Sequence, residues 1–246
     1  MNDPLAGVKL KMSRAKEHLD ALRSEVERFW QGNPNPFVRE RHPEWISFAV
    51  NIPIEPSPRL SIIVGDIAFN LRSALDHLAW QLAVLHCGSD KTPRRYTEFP
   101  IFNCESDFKK GASRKLANIL PAARSVIELL QPYHRGDWPE LAHLWILHEV
   151  NRVDKHQTAV GHFFTASLRF SDIKGEFRFS PLRNGDQWIV PVKQRRKFKM
   201  KLFASLSFEF ASIPHGVSFE DIEDIYKFVD QEVLPRFRGF FYPEVG

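Results

Sequence analysis

The chain has 246 residues, 43% of them hydrophobic and 26% charged. This suits one large domain or two small ones with a substantial apolar core, and the 21 Phe argue against disorder. The net charge of +4 is unevenly spread: residues 161–202 carry ten Lys/Arg against three Asp/Glu, and residues 217–246 carry three against seven. No apolar signal-peptide core follows Met1-Asn2-Asp3-Pro4. The most apolar run, Leu78 to Leu85, is broken by Gln81 and is too short to span a bilayer. With only Cys87 and Cys104, neither a disulfide framework nor a zinc cage is implied. The expectation is a cytoplasmic protein without membrane contact.

Leu5, Val8, Met12, Ala15, Leu19, Leu22, Val26 and Phe29 repeat at spacings of three and four, predicting a long amphipathic helix. Gly32-Asn33-Pro34-Asn35-Pro36 ends it. Ile46, Phe48, Val50 and Ile52 alternate with Ser47, Ala49 and Asn51, predicting a strand near 46–53. A second long helix is predicted from about Arg59 to His86. Shorter ones follow around Ser113–Leu120 and Pro121–Leu130, and another runs from Asp137-Trp138-Pro139 to about Val160. The period then changes to two. Phe164–Phe170, Phe177–Phe179, Trp188–Val192 and Phe198–Phe210 read as strands of an antiparallel meander with one apolar and one partly basic face. Ser218 with Asp221 opens a last helix. The fold class is therefore α+β: a bundle of four to six helices, a meander sheet of about four to five strands, and a C-terminal helix. Residues 1–160 form the mainly helical region and 161–246 the sheet with the last helix, packed as one unit.

Within the second helix, Asp66, Asn70, Ser73 and His77 follow spacings of four, three and four, so they line one stripe. A carboxylate, an amide, a hydroxyl and an imidazole on one surface suggest a site, because histidine exchanges protons near neutral pH. The competing reading is a solvent-facing or internally satisfied stripe. Arg72 precedes His77 by five residues, which puts them about 140° apart on an unbroken helix. Arg72 also stands four residues before Asp76, the spacing of an ordinary ion pair.

On the helix after Pro139, the apolar Leu141, Leu144 and Trp145 give way to His148, Arg152, Lys155 and His156, flanked by Asn151 and Asp154. Two imidazoles, a guanidinium and an ammonium make an anion-binding surface. The alternative is a solvated helix end whose positive charge suits the dipole. His148-Glu149 begins like a zinc-protease helix, but Arg152 stands where the second His is needed. A metal held by His148, Asp154 and His156 is the weaker alternative, and no metal or cofactor is expected. The run Lys193, Arg195, Arg196, Lys197, Lys199 and Lys201, interleaved with Phe198 and Phe203, suits a nucleic-acid surface. Lysines on an open strand also guard against aggregation.

The stretch from Gly65 to Leu78 (GDIAFNLRSALDHL), with Phe99-Pro100-Ile101-Phe102, Leu130-Gln131-Pro132-Tyr133 and Asp154-Lys155-His156, is similar to a group of uncharacterised bacterial proteins. Within it, Arg72-Ser73-Ala74-Leu75-Asp76-His77 resembles the signature of HEPN domains: Arg, a polar residue, three more residues, then His. The resemblance implies a helical bundle that dimerises with two motifs facing one cleft. It also implies metal-independent ribonuclease activity of a bacterial defence or toxin type. Arg72 would stabilise the phosphate, His77 would act in acid–base or orienting roles on the 2′-hydroxyl, and Ser73 would be the polar neighbour. RNA, a homodimer partner and a protein partner such as an antitoxin follow as expectations. The alternative is a non-catalytic module using Asp66, Asn70, His148, Asn151, Arg152, Asp154, Lys155, His156, Lys197, Lys199 and Lys201 to hold an anionic ligand, nucleic acid or protein.

Overall fold

The computed structural model describes residues 3–88, 92–93, 95–156, 162–172, 175–182, 187–191, 199–210 and 212–242. It is mixed α and β, with antiparallel sheets and a helical C-terminal segment. Two units emerge, and neither is continuous in sequence. One comprises Met1–Ala21, Ile63–Ala159 and Glu220–Gly246; the other comprises Leu22–Ile62 and Val160–Phe219. One boundary falls at 159/160, beside the expected one, but others at 21/22, 62/63 and 219/220 make the two units interleave along the chain. The C-terminal helical segment belongs to the helical unit, and the first strands belong with the later ones.

The helical unit is built on α1 (Ala6–Gly32, of which the first sixteen residues lie here) and α2 (Arg59–Cys87, from Ile63 onward). The α1 seam is buried as its spacing demands, at Val8, Met12, Ala15 and Leu19. Asp3 sets the turn that leads into α1, its carboxylate accepting from the Leu5 amide and its carbonyl from the Ala6 amide, each at 3.0 Å. α2 ends at Gly88, whose φ of 68° lets its amide turn back to the Val84 carbonyl at 3.0 Å. α3 (Glu105–Lys115) and α4 (Pro121–Leu129) follow. A 3-10 turn at Pro139–Leu141 leads into α5 (His143–His156). α6 (Phe219–Lys227) continues through a π turn (Phe228–Val233) and a 3-10 turn (Leu234–Phe237). Ile67, Ala68 and Leu71 of α2, Leu147 and Val150 of α5, and Ile222 and Ile225 of α6 close around a void of about 10 Å³. The buried Leu, Ile and Val side chains contribute about 1.5–3 kcal/mol each, so this three-helix contact fixes where α5 stands against α2.

The sheet unit holds two antiparallel sheets. The first has strand order β1-β2-β5, formed by β1 (Phe37–Arg41), β2 (Trp45–Val50) and β5 (Gln187–Pro191). The second has order β4-β3-β6-β7, formed by β3 (His162–Asp172), β4 (Gly175–Leu182), β6 (Lys199–Phe210) and β7 (Ile213–Ser218). The expected four-strand meander is thus divided. β5 leaves its sequence neighbours to pair with β2, Trp45 opposite Pro191, while β3 pairs directly with β6. Asn33 closes the turn after α1, donating to the Phe29 and Ile54 carbonyls at 3.0 Å each and accepting from the Ile54 amide at 3.1 Å.

Two helix boundaries differ from the sequence reading. The helix expected at Ser113–Leu120 lies at Glu105–Lys115. Its first turn carries Glu105 and Asp107 and its last carries Arg114 and Lys115, which suits the helix dipole. The helix expected from Asp137 begins at His143, because the Pro139 turn is 3-10 and Ala142 is extended.

Candidate functional site

The polar residues of α2 divide into two environments. Arg72 is only 8% exposed. Its Nη2 donates to the Phe99 carbonyl at 2.5 Å and meets the Asp76 carboxylate at 2.9 Å. The same Asp76 oxygen accepts the Phe99 amide at 3.0 Å. One helical turn of α2 therefore grips both backbone groups of Phe99, whose ring is fully buried and meets Phe237 edge-on at 6.5 Å. Gln131 does the same one step along. Its Nε2 donates to the Pro100 and Ile127 carbonyls at 2.9 and 3.0 Å, and its Oε1 accepts the Phe102 amide at 3.0 Å. The segment 99–102 forms no helix or strand, so these side chains supply the partners that a ladder would otherwise give its backbone.

His77 lies elsewhere. It is exposed and rests on α1, where a Cβ added to Gly7 would come within 2.7 Å of its Nδ1. Along the same side of α2, Phe69 lies beneath Lys11, whose Nζ is 5.1 Å from the ring centroid. Asp66 stands 3.9 Å from Nδ1 of His18. Asn70 is 7% exposed and turns back on its own helix, donating to the Asp66 carbonyl at 2.8 Å. Ser73 is half-buried. The expected stripe of four thus has two exposed members, Asp66 and His77, and two drawn inward. Arg72 and His77 do not converge within one copy of the chain.

Arg72 also acts on α5, through its charge. Burial pushes the His148 imidazole below its ordinary range; the positive charges of Arg72, Lys115 and Arg152 push the same way, and Glu149 opposes them. The neutral form of His148 is thus favoured, and its ring is tilted against Trp145 at 5.6 Å between centroids. Arg72 Nη1, His148 Nδ1 and Asn151 Oδ1 are all buried, and among the described residues none has a hydrogen-bond partner. Glu149 is 4% exposed and takes Arg152 in a fork, at 2.7 Å from Nη2 and 3.2 Å from Nε. Arg152, expected to be a free anion ligand, is therefore already neutralised. Asp154 packs its carboxylate against α2 at Gly65, where an added Cβ would overlap it. The side chains of Lys155, His156, Lys199 and Lys201, and the whole of Lys197, lie outside the described residues.

Two features carried no sequence signal. One is the backbone of Phe99 as the target of Arg72. The other is an open cavity of about 230 Å³ beside the π turn, lined by His143, Asp224, Lys227, Phe228, Gln231 and Glu232. Its charged groups already pair, Lys227 with Asp224 at 2.9 Å and Glu232 with Arg236 at 3.8 Å. Among the described residues, no group of three His, Cys, Asp or Glu is placed to hold a metal ion. No described helix is long and apolar enough to cross a membrane. No family model, curated protein or solved structure matches the chain.

Proposed function

We propose that this chain is a non-catalytic module that binds an anionic partner, RNA foremost. One observation carries the reading: Arg72, the cation that a phosphodiester-cleaving motif would need, is buried and has Nη2 committed to Phe99 and Asp76. Presenting it to a scissile phosphate would strip the Phe99 carbonyl of its donor inside the core, at a cost of about 1–3 kcal/mol. What favours an anionic partner is the basic segment 161–202, with Lys197, Lys199 and Lys201 among its ten cations. The charge of Arg72 disfavours a charged His148, and each keeps a buried nitrogen, Nη1 and Nδ1, without a partner among the described residues.

A HEPN-like ribonuclease of a defence or toxin type is the second reading. It draws on the exposure of His77, which leaves the imidazole open to a partner copy. The two readings part on one experiment: incubation of labelled RNA in EDTA with wild type, Arg72→Ala and His77→Ala, following both cleavage and binding at low salt. The binding reading expects intact, retarded RNA with wild type and His77→Ala alike. Cleavage by wild type that disappears in His77→Ala would replace it with the nuclease.

A further inference from the structure

The open cavity beside the π turn is built from one helix face and the start of another helix. Asp224, Lys227 and Phe228 stand at spacings of three and four, so they share a side of the C-terminal helical segment. At the π turn the Leu234 amide reaches back five residues to the Val229 carbonyl, and the turn brings Gln231 and Glu232 into the same lining. Single π turns of this kind are frequent at functional sites. His143, the first residue of α5, completes the lining, its ring 5.0 Å from that of Phe228 between centroids and tilted by 37°. All six residues belong to the helical unit.

The lining leans negative, with two carboxylates, Asp224 and Glu232, against one ammonium, Lys227. Burial disfavours a charged His143; Arg135 pushes the same way, and Asp224 and Asp221 oppose it. The neutral imidazole is thus favoured. Both ion pairs join side chains at least half exposed. Glu232 lies 3.8 Å from Arg236, beyond hydrogen-bond reach, and Arg236 gives its Nε to the Glu232 main-chain carbonyl at 3.0 Å. Exposed pairs contribute little, so an incoming cation displaces them at small cost. At about 230 Å³ the cavity falls below the range of about 300–1,000 Å³ that encloses drug-sized ligands. It suits the end of one side chain, with the rest of its owner in contact outside. Trp138 and Leu141, at the turn that leads into α5, are exposed, and exposed aromatics are frequent anchors for protein partners.

We infer that this cavity receives an arginine side chain from a basic partner polypeptide, with the guanidinium between the Glu232 carboxylate and the Phe228 ring. A guanidinium takes a carboxylate through a planar fork and stacks on an aromatic face in one pose. An ammonium offers the charge without the fork. The surrounding segment complements such a partner, because residues 217–246 carry seven Asp/Glu against three Lys/Arg.

The test is fluorescence anisotropy at low salt with the full chain and a labelled twelve-residue peptide of Arg, Leu and Ser. Versions with Lys or citrulline in place of Arg run beside it; citrulline keeps the shape and loses the charge. Wild type is expected to bind the Arg peptide, to bind the Lys peptide at least about threefold more weakly, and to ignore the citrulline peptide. Glu232→Gln should lose more than about tenfold, as for a lost charge-assisted hydrogen bond. Phe228→Leu should lose about threefold to fivefold with its ring face. Lys227→Gln should bind more tightly, because it removes the competing cation. A control on α1, Glu17→Gln, makes the same change of net charge as Glu232→Gln and leaves binding unchanged. Glu232 and Lys227 are exposed, so their variants keep the wild-type melting temperature and loss of binding is read apart from loss of fold. Failure of wild type to bind the Arg peptide overturns the inference, as does binding that Glu232→Gln and Phe228→Leu both retain or that the citrulline peptide matches. Free agmatine bound as tightly as the Arg peptide would overturn the polypeptide partner.

Discussion

Gln131 and Arg72 are both buried, and both reach into the same four residues, 99–102, yet they finish differently. Gln131 is 2% exposed and uses both ends of its amide, on Pro100, Ile127 and Phe102. Arg72 uses Nη2 on Phe99 and Asp76 and leaves Nη1 without a described partner, and Nδ1 of His148, whose charged form Arg72 disfavours, is in the same condition. A buried polar group with every bond made is accounted for by architecture. One with bonds unmade costs about 1–3 kcal/mol and calls for a separate explanation. The 99–102 segment is thus anchored at one end by a finished fitting and at the other by one with capacity to spare.

Substitutions can break this comparison, beginning with the largest effect. Arg72→Ala should cost about 3 kcal/mol in urea unfolding, because it leaves Asp76 without its guanidinium and the Phe99 carbonyl without a donor. Gln131→Ala should cost about 2 kcal/mol, since three neutral hydrogen bonds are lost but no charge is orphaned. A Gln131 loss greater than that of Arg72 would reverse the ranking. Gly65→Ala should cost less than about 1 kcal/mol, because the methyl displaces only the Asp154 carboxylate, the exposed end of a side chain, and a helical Ala is favoured over Gly.

The pH response sharpens the His148 side of the comparison. Burial holds folded His148 below its ordinary value of 6.5, so the unfolded chain takes up its proton first as pH falls. Stability is full above that value and declines below it, until folded His148 itself titrates. His148→Gln should flatten the decline between neutral and mildly acid pH in chemical unfolding. The part due to His143, shifted the same way by burial, should remain. Smallest of all, His77→Ala should change stability by less than about 0.5 kcal/mol, as expected of an exposed side chain.

The parts of this fold that sequence discloses are those with local periodicity. The α1 seam and the extent of α2 follow from spacings of three and four, and the apolar face of β6 from alternation. β1 escaped notice because four of its five residues are exposed and it carries no alternation. The partnership of β5 with β2 is a contact between residues about 140 positions apart, to which no local pattern points. α3 was misplaced because only Phe108 and Ala112 are buried, too few to mark a stripe. At the site, Arg72–Asp76 was legible as an ion pair at i and i+4. Its target was not, because a backbone carbonyl has the same signature at every residue. Asp154 and Gly65 were both visible, but nothing in the sequence joins them.

The most direct test of whether Arg72 belongs to the fold rather than to catalysis is hydrogen exchange at the Phe99 amide, with and without saturating RNA. Its proton lies on Asp76, which Arg72 holds in place. If Arg72 is architectural, the amide is strongly protected and equally so in both states. Loss of protection when RNA binds would mean that the Arg72–Asp76 arm lets go of Phe99 to engage the phosphate, and the proposal of a non-catalytic module would fall.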